Sequence, residues 1–172
     1  MILTGSEILK NVESEKIVID PFDVSQLNPN SYNFTLGRQL LVYDDYILDV
    51  KSNNKTHKME IPDEGITLAP GTVYLGHTIE RIGSRYFVPV IRGRSSIGRL
   101  GLFINITADL IDLGSIGQLT LQLNAVQPVK IYPGMKIGQV TFWTVMGEIS
   151  EYGGRYQNSE GPVASRMYED FK

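Results

Sequence analysis

Three arginines and two serines crowd into one short run, Arg92-Gly93-Arg94-Ser95-Ser96-Ile97-Gly98-Arg99. It follows an apolar strand pattern, Tyr86-Phe87-Val88-Pro89-Val90-Ile91. Ser95 or Ser96 is placed to cap a short helix running through Ile97 to Leu100. A helix start with free N–H groups, flanked by hydroxyls and guanidinium forks, suits phosphate oxygens. The same residues also fit a strand-to-helix corner with solvated arginines. A second pattern is the strand Gln118-Leu119-Thr120-Leu121-Gln122-Leu123-Asn124. Alternation puts the leucines on one face and Gln118, Thr120, Gln122 and Asn124 on the other. That polar stripe is either a ligand wall or a solvent-facing side. Asp109 and Asp112 precede it at a turn, where aspartate is commonly a turn former.

Composition limits the chemistry available. The chain has 172 residues, the length of one domain. Its 16 basic and 19 acidic residues give a net charge of −3. That balance argues against a bulk nucleic-acid binder, although a nucleotide needs only a local arginine cluster. Without cysteine there are no disulfides, thiolate metal sites or thiol nucleophiles. With only His57 and His77, histidine triads and zinc sites built on two or three histidines are close to excluded. The opening residues lack a basic region followed by a long apolar run, so they do not read as a secretory signal. No stretch approaches the ~18 apolar residues of a membrane span. The cytoplasm is the expected compartment.

The elements that must carry these groups are mostly strands. Thr4-Gly5-Ser6-Glu7 fits a capping box, and Ile8, Leu9 and Val12 follow at helical spacing, which predicts a helix over about residues 4–13. After it the period changes to two. Strands are predicted at Lys16–Asp20, Leu40–Tyr43, Ile66–Ala69, Thr72–Ile79, Tyr86–Ile91, Phe103–Ala108, Gln118–Asn124 and Ile137–Met146. Turns such as Asp63-Glu64-Gly65, Pro70-Gly71 and Pro133-Gly134 separate them. Many short strands spaced by turns imply an all-β barrel or sandwich. Lys51 to Lys55 reads as a polar loop. From about residue 148 to 172 the period is lost, but Tyr152, Tyr156, Tyr168 and Phe171 make this a docking arm rather than a frayed tail.

Gly93-Arg94-Ser95-Ser96-Ile97-Gly98-Arg99-Leu100-Gly101-Leu102 resembles the signature of the dCTP deaminase family, within the dUTPase-like superfamily. The likeness runs along the chain. It includes Met1 to Gly5, Asn30 to Gly37, Ile111-Asp112 with Gly114, Gly117 to Leu121, and Tyr132 to Gln139. It ends with Arg155 to Asn158, Gly161 and Ala164-Ser165-Arg166. The resemblance implies a single dUTPase-like domain, a distorted β-barrel with a short N-terminal helix and a C-terminal arm. It implies a homotrimer with sites between subunits, closed by the arm, and a magnesium ion carried by the nucleotide triphosphate. It implies no zinc, and the chain has none of the zinc deaminase elements. The implied activity takes dCTP to dUTP and ammonia, with possible further hydrolysis to dUMP for thymidylate synthesis.

The resemblance also implies roles. Arg94, Ser95 and Ser96 match positions that bind phosphates and hold water or oxyanion contacts. Arg99 matches an arginine close to the reacting base. Asp112 matches the aspartate that contacts the deoxyribose and, in related dUTPases, orients the water that attacks the α-phosphate. Arg155 matches a basic arm residue that reaches the triphosphate. Ala108, Tyr152 and Gln157 are carried over as substrate-binding, and Ser95, Arg99, Asp112 and Gln122 as the catalytic set. Gln122 departs from the pattern. Family deaminases carry a glutamate there, which activates water against C4 of cytosine, and an amide cannot take up that proton. Ser159-Glu160 stands where the arm usually has a glutamine pair, and Asn33 replaces a common aspartate. Asp109-Leu110-Ile111-Asp112 resembles the Gly-Leu-Ile-Asp of dUTPases equally well. Three functions therefore stay open: a dCTP deaminase, a dUTP or dCTP diphosphatase, and a homologue that binds a nucleotide without turnover.

Overall fold

Thr4 caps the first helix, α1 (Gly5–Glu13), its Oγ1 accepting from the Glu7 N–H at 3.4 Å. The Glu7 carboxylate turns to Lys10 at 2.6 Å, so only half of the capping box forms. Ile8 is buried and Val12 packs against the core, fixing the apolar stripe of the helix against the strands. The computed structural model describes residues 1–172. In chain order its strands are β1 (Ile17–Asp20), β2 (Leu27–Asn28), β3 (Ser31–Thr35), β4 (Gln39–Tyr43), β5 (Thr56–Glu60) and β6 (Ile66–Leu68). Then come β7 (Val73–Ser84), β8 (Phe87–Gly93), the short helix α2 (Ser95–Gly98), β9 (Leu102–Phe103), β10 (Ile116–Ala125), β11 (Val129–Ile131) and β12 (Lys136–Thr144).

The all-β class, the N-terminal helix and the C-terminal arm are as the sequence indicates. The strands pair in three sheets rather than one closed ladder. The largest runs β5-β4-β7-β10-β9, with β1 also on β7; the second runs β2-β3-β12-β8; the third is β11-β6. Residues of all three sheets meet in one core, including Phe34, Leu68, Leu121, Ile131 and Phe142. β10 shows the physics plainly. Leu119, Leu121, Leu123 and Ala125 are buried, and the residues between them are half-exposed. The ladder between β10 and β7 is broken between Gln118 and Thr120. There Thr78 Oγ1 accepts from the Leu119 N–H at 2.9 Å, so the irregularity leaves that donor satisfied.

Two predicted elements differ. Of the expected strand Phe103–Ala108 only Phe103 lies in β9, the two-residue strand that pairs with β10. Beyond it the chain leaves the sheet, with Ile106, Thr107 and Ala108 exposed. The apolar alternation of Phe103-Ile104-Asn105-Ile106 is satisfied by Ile104 alone entering the core. The helix after the arginine cluster begins earlier than expected, at Ser95 with Arg94 in the capping position, and no side chain caps it. Neither serine is therefore a cap, and both hydroxyls remain exposed.

Candidate functional site

The long connection between β9 and β10 carries Asp109 and Asp112, and the two have different surroundings. Asp109 pairs with Arg92 at 3.2 Å. Asp112 sits in a turn closed by the Ser115 N–H on its carbonyl at 3.1 Å, with Gly114 at φ +82°. A side chain at Gly114 would also meet Glu151 at 2.8 Å, so glycine is needed twice over. The Ile111 N–H to Pro89 and the Gly114 N–H to Ser84 tie this turn to the strand pair β7 and β8. The Asp112 carboxylate itself is exposed and has no protein partner.

That carboxylate opens into a cavity of about 540 Å³. Ala108, Asp112, Gln122 and Tyr152, all expected site residues, line it together. The remaining lining is mostly apolar, with Leu75, Leu110 and Leu119 among it. Asp112 is the one charged side chain on its wall, and no lysine or arginine reaches it. Neither histidine lines it: His57 pairs with Asp44 at 2.6 Å, and His77 is buried with Nδ1 on the Thr78 carbonyl at 2.9 Å. Burial holds the His77 imidazole below its usual value.

The arm forms the outer wall. Tyr152, Tyr156, Val163, Ala164 and Ser165 all face the cavity. It is docked along the open edge of β10, where it masks unpaired backbone groups. The Asn158 N–H donates to Ile116 O at 3.0 Å, and the Gln118 N–H donates to Ser159 O at 2.9 Å. A Cβ at Gly117 would lie 2.8 Å from the Ser159 nitrogen, so the close approach requires that glycine. Farther along, the Gly161 N–H donates to Gln118 Oε1 at 2.6 Å, Val163 N–H to Thr120 Oγ1 at 3.0 Å, and Ser165 N–H to the Tyr43 hydroxyl at 2.9 Å. The polar stripe of β10 is thus divided. Gln118 and Thr120 hold the arm, and Asn124 donates to Thr72 O at 3.4 Å. Gln122 is left to the cavity, with Oε1 accepting from the Ile106 N–H at 3.2 Å.

The other expected residues lie elsewhere. Gln157 lines no part of the cavity. Its Oε1 accepts from Ile116 N–H at 2.9 Å and its Nε2 donates to Gly114 O at 2.7 Å, which fastens the arm. Arg155 bonds the Arg166 carbonyl and the Asp170 carboxylate, with Glu169 at 3.9 Å, and so does not point at the cavity. Arg166 beside Glu169 at 2.8 Å holds that carboxyl below its usual value. Arg94, Ser95, Ser96 and Arg99 form a separate exposed corner at α2. Arg94 makes one side-chain contact there, a 3.4 Å bond to Lys136 O. Asn33 joins a structural network, with Nδ2 on Gln26 O at 3.2 Å and Oδ1 accepting from Gln139 at 3.3 Å. Sequence reasoning missed Tyr43 and the Ile106 N–H, because neither a strand-end tyrosine nor a loop amide carries a local signal.

One chain therefore offers a carboxylate and an amide in a cation-free cavity, and a basic, hydroxyl-bearing corner apart from it. Comparison with known proteins places the whole chain. A model of the family described as dCTP deaminase-like matches residues 2–145. A Clostridium beijerinckii protein named dCTP deaminase, dUMP-forming is 49% identical over 173 residues, covering 100% of this chain and 99% of its own. A Leptospira biflexa protein of the same name is also 49% identical, with the same coverage. The crystal structure of 2'-deoxycytidine 5'-triphosphate deaminase from Agrobacterium tumefaciens superposes with a TM-score of 0.65 at 21% identity, over 82% of this chain. This chain spans about half of that one, 47%, and the likeness speaks to fold alone. The family match and the chain-long identity establish that this chain belongs to the dCTP deaminase-like family.

Proposed function

We propose that the protein is a pyrimidine deoxynucleoside triphosphate hydrolase of the dCTP deaminase type. It takes dCTP and water to dUTP and ammonia, then dUTP and water to dUMP and pyrophosphate. The observation that carries this reading is the grouping of Ala108, Asp112, Gln122 and Tyr152 around one cavity. In this reading the cavity holds the base and deoxyribose, with Asp112 on the sugar and on the water that attacks the α-phosphate. A carboxylate with no protein partner is free for that work.

The triphosphate needs cations, and the cavity wall has none. Arg94 and Arg99 of a neighbouring copy supply them in a homotrimer, with the Ser95 and Ser96 hydroxyls beside them and magnesium entering as part of the substrate. Arg155 joins the phosphates only by leaving Asp170 and Glu169. No helix is long and apolar enough to cross a membrane, and we place the enzyme in the cytoplasm. A stable monomer in light scattering at micromolar concentration would overturn the shared site.

Gln122 favours a second reading. Its amide cannot accept the proton that deamination removes from water, while Asp112 is retained for the phosphate step. The protein is then a dUTP or dCTP diphosphatase. One assay separates the readings: incubation with dCTP or dUTP and magnesium, followed by chromatography. Ammonia and dUMP from dCTP support the deaminase. The second reading gives dCMP from dCTP and dUMP from dUTP, with no ammonia. Absence of all products supports binding without turnover. Gln122→Glu should raise deamination by about 10²–10⁴ if only the base is lacking.

A further inference from the structure

The side-chain amide of Gln122 has a defined direction. The backbone N–H of Ile106 lies 3.2 Å from its Oε1. A backbone N–H only donates, so the atom that faces it must be the oxygen. Nε2 is thereby turned away from Ile106, and it has no acceptor in the protein. Gln118, by contrast, has both amide atoms in use, on Ile79 O at 2.9 Å and the Gly161 N–H at 2.6 Å. Thr120 is likewise occupied by the arm. Of the polar stripe on β10, Gln122 alone brings to the cavity wall an amide nitrogen with no acceptor in the protein.

From this we infer that Gln122 is a specificity-determining residue, selecting a 4-keto pyrimidine nucleotide, of the uracil type, over a 4-amino one. The inference rests on the proposed reading of the cavity as the base end of a nucleotide site, with position 122 at the C4 edge, and it favours the diphosphatase reading acting on dUTP over the deaminase reading. Against that edge a uracil ring presents O4, an acceptor, and Nε2 donates to it. A cytosine ring presents an amino group, so two donors face each other and neither is satisfied. Reversing the amide would bring Oε1 to the cytosine amine, but it would set Nε2 against the Ile106 N–H. The mismatch is only relocated. A glutamate at 122 would leave one oxygen on Ile106 and turn another acceptor toward the base. The residue that removes the general base thus also inverts the hydrogen-bond code of the wall. Once a base covers this half-exposed edge, a polar group left unpaired counts against the wrong ligand.

The test is calorimetric titration of the full chain, with magnesium, using the α,β-imido analogues of dUTP and dCTP, whose α-phosphate resists hydrolysis, with chromatography after each titration to verify that the cytosine analogue has kept its amine. The uracil analogue is expected to bind at least about tenfold more tightly. Gln122→Glu should remove or reverse that ratio. Gln122→Met, which fills the space without a donor, should weaken the uracil analogue about tenfold and tighten the cytosine analogue, whose amine no longer faces a second donor. A merely structural role for Gln122 would move both analogues together. Equal affinities in the parent, or a preference for cytosine, would overturn the inference while the nucleotide reading stood. Failure of both analogues to bind would overturn that reading, and the inference with it.

Discussion

Replacing Gln157 by alanine should release the arm without unfolding the sheets. The structure gives the terms. The side chain accepts from the Ile116 N–H at 2.9 Å and donates to Gly114 O at 2.7 Å, both with good lengths. A third contact, to Tyr152 O at 3.4 Å, is too long to count for much. A neutral hydrogen bond contributes about 1 kcal/mol net, so two contribute about 2 kcal/mol. The half-buried Ile116 N–H would be left without a partner, which adds to the cost where water does not reach it. About 2 kcal/mol changes the ratio of docked to released arm by roughly thirtyfold. None of this is lost from the core, because Gln157 touches only the arm, the turn before β10 and the first residue of that strand. Amide hydrogen exchange at Tyr152, Asn158 and Gly161 should therefore quicken by about that factor, while exchange in β7 and β12 stays as in the parent. Trypsin should cut sooner after Arg155 and Arg166. Unchanged protection along the arm would refute the claim that the glutamine fastens it. Loss of protection in β7 would show that arm and core unfold together.

Three further outcomes are expected. Arg94→Ala should weaken triphosphate binding by about 1.5–3 kcal/mol, the worth of a charge-assisted contact, with little change in thermal stability because its one protein contact is long; calorimetry and thermal unfolding read the two effects. Asp112→Asn should cut pyrophosphate release by about 10²–10⁴ and leave the fold intact, since the carboxylate supports nothing else; a pyrophosphate assay beside circular dichroism checks this. Glu80 is buried, with Thr35 donating to it through N–H and hydroxyl, and burial pushes its carboxyl above the usual 4.5. The folded state then holds that proton more tightly than the unfolded one. Its contribution is present in full below about pH 4.5 and is lost as the pH rises through the folded value. Glu80→Gln should flatten the fall in melting temperature across that window, and parallel pH profiles for parent and variant would exclude the effect.

Where the local signal was strong, the elements could be found in advance. The Thr4 cap, the alternation of Leu119, Leu121 and Leu123, and the strand from Thr72 were legible because cap chemistry and side-chain period act over a few residues. The predicted strand Phe103–Ala108 shows the limit. Its apolar alternation is genuine, but only Leu102 and Phe103 find an edge of β10 to pair with, and a ladder is a non-local event.

The site divides in the same way. Sequence determined the chemistry on offer: no thiol, two histidines, an arginine–serine cluster, a carboxylate before a polar-striped strand, and an amide where a base was expected. Motif order along the chain determined the family. Only the tertiary structure decided which members of the stripe are free. Gln118 and Thr120 look the same as Gln122 in the sequence, yet a chain segment some forty residues away consumes their hydrogen bonds. Only the structure separated Asp112 from Asp109, because the partner that occupies Asp109 is Arg92 on another strand. It likewise turned Arg155 toward Asp170, and it aimed the Gln122 amide through a loop N–H. Hydrogen-bond donors and acceptors are spent once, and which pairs form depends on distances that chain folding sets.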